Sequence, residues 1–571
     1  MADVSSGKSL AGRVVPVAAL VVACSLVSAG AAIRLAAGPE GVGATVSEAR
    51  SRLSTRLRSP LRPSLDEQYP PATECESCHP THAAEWRQSA HSRAAVDPLV
   101  HASVCGRCHT PLGTQLDEMY QLKLYDGVPM PELPVAASEG VTCVTCHSSS
   151  HQPEDQVLTF IPEWPNWRSS DLALEIMPYG DVRGTFGAAA ETASPAVTND
   201  SHGSLTDPTL AESALCLPCH EVVVDKEPLA PHRGLWSSPS KVDLLTTYSE
   251  WLASPYAQPG AESQTCQSCH MPKHSARGEA AVAPQGVDYD APLPDRELTD
   301  HMLAGVTTDY LSSGPDVASQ DLRAAEHVAG AATLQVIAPP AVAAGEPVTV
   351  TVLITNTGAG HDLPTGFAYW SEAWLELSAT DRDGRVLLLS GDVDQDEWLR
   401  DEFNPRVLDG ELPYDPYLLS LRARLVSVGP NRERWRQPDG RLVLPDDDVL
   451  RNLNGTPIIG TDADVAIRLW RELLPGAEPP VTAYGLQEGY YLRHADTVLR
   501  RGVPAGKALA ASYSLPGGTE AADSINVSAR LLIRALWPWM LQQQQVLPTP
   551  RPRPPIYEIA AAGADVDVVA P

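Results

Sequence analysis

Residues 75–79 read Cys-Glu-Ser-Cys-His, and the same frame returns as Cys105-Gly-Arg-Cys-His109, Cys143-Val-Thr-Cys-His147, Cys216-Leu-Pro-Cys-His220 and Cys266-Gln-Ser-Cys-His270. Of the 11 cysteines in the 571 residues, these frames use all but Cys24. Two thiols at this spacing can add across the two vinyl groups of one haem, because two intervening residues let both sulfurs reach one macrocycle edge. The adjacent His is then delivered to the iron. Cys-x-x-Cys-His is the c-type haem attachment signal. A zinc ribbon needs two Cys pairs per metal, and five pairs do not divide evenly. A disulfide framework would leave the five histidines unexplained. The expectation is five covalently bound c-type haems (heme c, iron). Cys75, Cys78, Cys105, Cys108, Cys143, Cys146, Cys216, Cys219, Cys266 and Cys269 carry them, with His79, His109, His147, His220 and His270 as proximal iron ligands. Haem attachment of this kind takes place outside the cytoplasmic membrane, so a periplasmic or other extracytoplasmic location is expected.

Around these frames, from Glu74 to about Tyr310, apolar runs are few and Pro-rich loops such as Val128–Pro134 and Phe160–Trp167 interrupt short helices. So little apolar side chain makes a poor core by itself. Haem macrocycles would supply the missing apolar volume. Residues 71–325 are therefore expected to be a mostly helical and irregular pentahaem domain. After Val328 the texture changes to β-branched runs at Ala332–Ala338 and Pro347–Asn356, alternation at Trp374–Thr380, a turn at Asp381–Gly384, then Val386–Leu389. Ala508–Leu515 and Ser524–Arg534 continue the pattern, whereas Gly391–Arg500 is mixed and is assigned no element. The rhythm predicts an antiparallel β-sandwich over 326–540 with an irregular insertion. Residues 541–571, with the Pro-rich run Pro548–Pro555, are expected to be an extended acidic tail. The fold class is α+β, multidomain.

Upstream, Val14–Ile33 is a charge-free apolar run between Arg13 and Arg34, containing Cys24. Twenty such residues match the hydrocarbon thickness of a bilayer, and the run exceeds the usual h-region of a secretory signal, about 7–15 residues. A retained membrane anchor over 1–38 fits that length better than a cleaved signal. Val21-Val22-Ala23-Cys24 also resembles a lipoprotein box, although the residues after Cys24 stay apolar where a lipoprotein turns polar. Residues 39–70, with Gly, Ser, Pro and Arg, read as a tether. Arginines also follow the run, so flanking charge does not settle orientation.

Eleven further histidines lie outside the frames: His82, His91, His101, His151, His202, His232, His274, His301, His327, His361 and His494. Cys75–His79 followed by Trp86-Arg-Gln-Ser-Ala-His91 resembles the first haem segment of the cytochrome c-554-like family, tetrahaem proteins related to the hydroxylamine oxidoreductase group. Gly140–His147 with His151 close behind, and Cys266–Pro272 followed by His301, fit the same pattern over about residues 74–305. The resemblance implies that His91 ligates the iron of another haem, and that His151, His202 and His301 occupy distal-ligand positions. It departs from the pattern at Trp251-Leu-Ala-Ser-Pro-Tyr256, which echoes Trp86–His91 with Tyr in place of His. Asn356-Thr-Gly-Ala-Gly-His361-Asp-Leu-Pro-Thr-Gly366 is similar to a loop of multihaem cytochromes with an appended immunoglobulin-like domain. There His361 would sit at the tip of a tight loop and reach back as a further distal ligand.

A haem with two axial histidines exchanges electrons and offers no substrate site. Electron transfer is the function expected, with no catalytic residue assigned. The alternative is an oxidoreductase acting on a small nitrogen or sulfur oxyanion or hydroxylamine at one open haem, which Tyr256 would mark. Similar nitrite reductases use a Cys-x-x-Cys-Lys, which does not occur here. The net charge of −29 excludes nucleic acid, which needs a basic face, and suits solubility or a redox partner with a basic patch. The expected partners are redox proteins or a quinone-linked donor, the membrane through the N-terminal segment, and a haem-to-haem oligomer.

Overall fold

The computed structural model describes residues 68–97, 102–120, 135–150, 158–162, 167–169, 175–176, 181–184, 203–225, 241–279, 295–308, 315–427, 436–439, 441–442, 451–458, 468, 471–472, 476, 487–488, 495, 497–517, 524–543 and 553–571. The apolar run with Cys24, almost all of the tether, His151 and His202 lie outside these. Among the described residues no helix is long and apolar enough to cross a membrane.

The frame-bearing part is a string of short helices: α1 (Ala72–Glu76), α2 (Pro80–Gln88), α3 (Ala90–Arg93), α4 (Ala102–His109), α5 (Pro111–Tyr120) and α6 (Cys143–His147). Proline opens α2 and α5, where the first turn has no intrahelical partner to lose. Ser89 ends α2 and caps α3, its Oγ accepting from Ser92 N at 3.3 Å. Tyr69, Leu112, Leu116, Ala136, Ala137, Val144 and Ile176 form one small buried cluster. Gln115 holds the Ile176 backbone from both sides, with N···O distances of 2.7 Å.

This region carries more sheet than the sequence texture predicts. β1 (Leu158–Pro162), β2 (Trp167–Ser169), β3 (Glu221–Asp225) and β4 (Lys241–Thr246) form a four-stranded sheet in the order β2-β1-β3-β4. The helix α7 (Leu217–His220) runs directly into β3, and α8 (Thr247–Leu252) follows β4. The Val222-Val223-Val224 run explains the strand, since β-branched side chains fit a pleated surface. After α9 (Cys266–His270), β5 (Lys273–Glu279) and β6 (Asp295–Thr299) pair antiparallel.

The helix α10 (Pro315–Val328) leads into the strand-rich part: β7 (Ala332–Ile337), β8 (Ala341–Ala343), β9 (Val348–Asn356), β10 (Glu372–Asp381), β11 (Val386–Ser390), β12 (Ala508–Leu515), β13 (Ser524–Arg534) and β14 (Tyr557–Val569). One sheet runs β7-β9-β12 and the other β8-β14-β13-β10-β11, with Leu419–Ser420 added on β10. Alternate residues of β9 (Val348, Val350, Val352, Ile354) meet Leu375 and Leu377 of β10 and Ile525, Val527 and Leu531 of β13 in one buried core. Period-two patterning of this kind buries one face of each strand.

Residues 541–571 do not form a free tail. They include β14, which lies between β8 and β13 and alternates buried and exposed positions. Its middle is Ala560-Ala-Ala-Gly-Ala564, too weakly apolar for the alternation to stand out. From Leu65 onward the chain is one compact unit. Val222, Val224, Val242 and Leu244 share a core with Ala368, Tyr369, Ala423 and Leu425, so packing bridges the boundary expected near residue 325.

Candidate functional site

The second, third and fifth frames lie within helices, and the first and fourth each close a turn through a backbone bond. His79 N donates to Cys75 O at 2.8 Å and His220 N to Cys216 O at 3.0 Å; the third, α6, is capped by Thr142 and the fifth, α9, by Thr265. Residues three apart on a helix share a face, so the two thiols of a frame point the same way. No disulfide links any of the ten frame cysteines.

Three of the frame histidines are matched by an imidazole from far along the chain at one spacing. His147 and His301 have ring centroids 6.3 Å apart, His270 and His361 6.2 Å, and His91 and His220 6.4 Å. A first-row metal bonds imidazole nitrogen at about 2 Å and a ring centre lies roughly 1.1 Å behind that nitrogen, so two rings across one ion stand about 6.2 Å apart. His79 and His82 are also 6.4 Å apart, but His79 caps α2 and His82 lies in its first turn. Groups so placed, with Cβ atoms about 5–6 Å apart on one face, cannot reach opposite sides of a macrocycle. His82 packs instead against His301 at 4.4 Å, and His327 against His270 at 4.8 Å, both too close to stand on opposite sides of one iron.

The second ring nitrogen is committed to the backbone in four cases. Nδ1 lies 3.0 Å from Ala94 O in His109, 2.9 Å from Ala304 O in His270, 2.7 Å from Thr299 O in His301 and 2.9 Å from Asp362 O in His361. A carbonyl only accepts, so Nδ1 carries the proton and the Nε2 lone pair is left for a metal. Burial, helped by neighbouring histidines, pushes His91 and His301 down to about 4 and His270 to about 3. Burial also lowers His109, His220 and His361. The imidazoles are thus neutral at pH 7, the form that binds metal. Donor set, tautomer and spacing all fit the axial positions of a haem iron.

Thiols of different frames touch. Cys75 lies beside Cys143, Cys216 beside Cys266, and Cys219 beside Cys108. Burial, with Cys219 close by, pushes the Cys146 thiol up to about 11. The fourth frame therefore adjoins the second, third and fifth.

Of the expected distal ligands, His91, His301 and His361 stand at the spacing described, while His151 and His202 lie outside the described residues. Sequence reasoning missed Glu85, whose carboxylate accepts from His301 N at 3.0 Å and lies 2.8 Å from His274 Nε2 and 3.6 Å from His82 Nδ1. Burial works to raise this carboxyl, but the hydrogen bonds of His82 and the His301 amide, with His274 near, hold it below its ordinary value. Tyr256, singled out as the mark of an open haem, donates its hydroxyl to Thr357 O at 3.0 Å.

No family model matches the chain, and no curated protein matches it. Among solved structures it is similar to a penta-heme cytochrome c552 from Thermochromatium tepidum, with 17% identity and a TM-score of 0.45 over 87% of this chain and 99% of that one. A second likeness is to alpha-2-macroglobulin of E. coli in its native conformation, with 16% identity and a TM-score of 0.13 over 42% of this chain and 10% of that one. At these scores neither likeness bears on function.

Proposed function

We propose that this chain is an extracytoplasmic pentahaem electron carrier of the cytochrome c-554-like kind, with an immunoglobulin-like β-sandwich that contributes one axial ligand. The observation that carries the reading is the repeated spacing of 6.2 to 6.4 Å between a frame histidine and a distant one. The five Cys pairs would hold the haems covalently. His147 with His301, His220 with His91, and His270 with His361 would be axial pairs, with His79 and His109 as proximal ligands of the remaining two. Bound haem supplies a one-electron couple whose potential follows its axial ligands, burial and hydrogen bonding. The chain's own part is positional. Backbone carbonyls fix the imidazole tautomers, and the close approach of the frames would bring their haems near one another, as short-range electron exchange requires. An acidic surface would receive a redox partner through a basic patch, and the N-terminal run would tether the protein to the membrane.

The test is electron paramagnetic resonance of the oxidised, purified protein with and without nitrite or hydroxylamine, after its mass has been checked for five added haems. Low-spin signals that ignore both ligands are expected. A high-spin signal that shifts on addition would move the function to catalysis at an open haem, and a mass with fewer than five haems would break the cofactor assignment.

A further inference from the structure

Two stretches of the frame-bearing region are built alike, bond for bond. In the first, Trp86 Nε1 donates to Val141 O at 2.8 Å and Val141 N donates to His91 O at 3.0 Å; Val141 stands two residues before Cys143. In the second, Trp251 Nε1 donates to Gln264 O at 2.9 Å and Gln264 N donates to Tyr256 O at 2.9 Å; Gln264 stands two residues before Cys266. Ser89 and Ser254, each three residues after the tryptophan, return Oγ to its carbonyl at 2.6 Å in both stretches. Both serines then cap the next short helix. These are two copies of one module, and at the position where the first presents His91 the second presents Tyr256.

The second copy makes contacts of another kind. The Tyr256 hydroxyl donates to Thr357 O at 3.0 Å. Gly360 lies against the same two rings, since a Cβ there would stand 3.5 Å from Trp251 Cδ1 and 3.7 Å from Tyr256 Cδ2. Glu250, one residue before Trp251, accepts from Asp362 N at 3.2 Å and from the Thr365 hydroxyl. The loop is therefore gripped on both sides of His361. Asn356 braces it from within, Nδ2 donating to His361 O at 2.8 Å and Oδ1 accepting from Ala359 N at 3.1 Å.

We infer that Trp251–Tyr256 is a ligand module whose imidazole has been replaced by a docking side chain, and that Glu250 and Tyr256 are positioning residues that hold His361 opposite His270. The position no longer supplies a ligand; it seats the loop that does. This rests on the reading of His361 as an axial ligand of the haem on Cys266 and Cys269.

The test compares His361→Ala, Tyr256→Phe and Tyr256→Phe/Glu250→Ala in the full, haem-loaded protein, reading high-spin signal and carbon monoxide binding by the reduced form. With His361→Ala, one haem in the chain is expected to turn high-spin and bind carbon monoxide. With Tyr256→Phe the reactive fraction is expected to rise about fivefold over wild type, the factor set by one lost hydrogen bond, and to rise further in the double variant. Wild-type spectra in both positioning variants, alongside a reactive His361→Ala, would overturn the inference and leave the ligand assignment standing. An unreactive His361→Ala would overturn both. Should the double variant fail to load its haems, the Tyr256→Phe protein, which lacks one oxygen, decides alone.

Discussion

An imidazole can bond a metal through either nitrogen, and what removes that freedom here is a main-chain oxygen. His301 is the clearest case, with Nδ1 on Thr299 O at 2.7 Å and the ring 6.3 Å from that of His147. Replacing His301 by Ala is expected to convert about one haem in five to a high-spin, carbon monoxide-binding form, with the other signals unchanged; a spectrum identical to wild type would remove His301 from the ligand set. Such partnerships were only half legible. The Cys-x-x-Cys-His frames are contiguous, so their chemistry can be read from five residues. The pairing of His91 with His220 joins distant positions, and nothing local links them. Glu85 was missed for the same reason, since the histidines it serves come from three separate stretches. Tyr256 was noticed as a departure from a pattern, but its partner, the Thr357 carbonyl, belongs to another region.

At the scale of elements, strands with strong contrast were read almost to the residue. Ala508–Leu515 and Ser524–Arg534 coincide with β12 and β13, and Pro347–Asn356 overshoots β9 by one residue. Where alanine or loop residues dilute the contrast, legibility ended, as in β14. The unplaced stretch after Gly391 turns out to hold buried charge beside β10 and β13. Arg534 pairs with Glu372, Arg424 with Glu402, and the Arg422 guanidinium lies 3.6 Å from the centre of the Trp537 ring. Burial, and then Glu402 and Glu372, push the neighbouring Asp401 from 3.8 up to about 7. A raised folded-state pKa means the folded protein binds this proton more tightly than the unfolded chain. Its contribution to stability is whole below pH 3.8 and is lost as pH rises through about 7. Asp401→Asn is expected to remove that loss. In denaturant titrations the variant should gain on wild type as pH is raised across this window, and a constant difference between the two would refute the assignment.

For the molecule as a whole, the charge of −29 would govern encounter with the proposed basic redox partner before any contact forms. Electron exchange with a basic redox protein is expected to slow steeply as ionic strength rises, because screening shortens the reach of the field to about 8 Å at physiological salt. Stopped-flow rates against salt concentration measure this, and rates that do not respond to salt would show that charge does not guide docking. The shared core of Val222, Val242, Tyr369 and Leu425 makes the two halves one body, so His361 is carried on a fixed support rather than a tethered module. The place of β14 between β8 and β13 also imposes an order in time. If the chain is exported as proposed, N-terminus first, all ten motif thiols would emerge before Tyr557–Val569. The haems would then be attached to an open chain, and the sheet between β8 and β13 would be completed only afterwards.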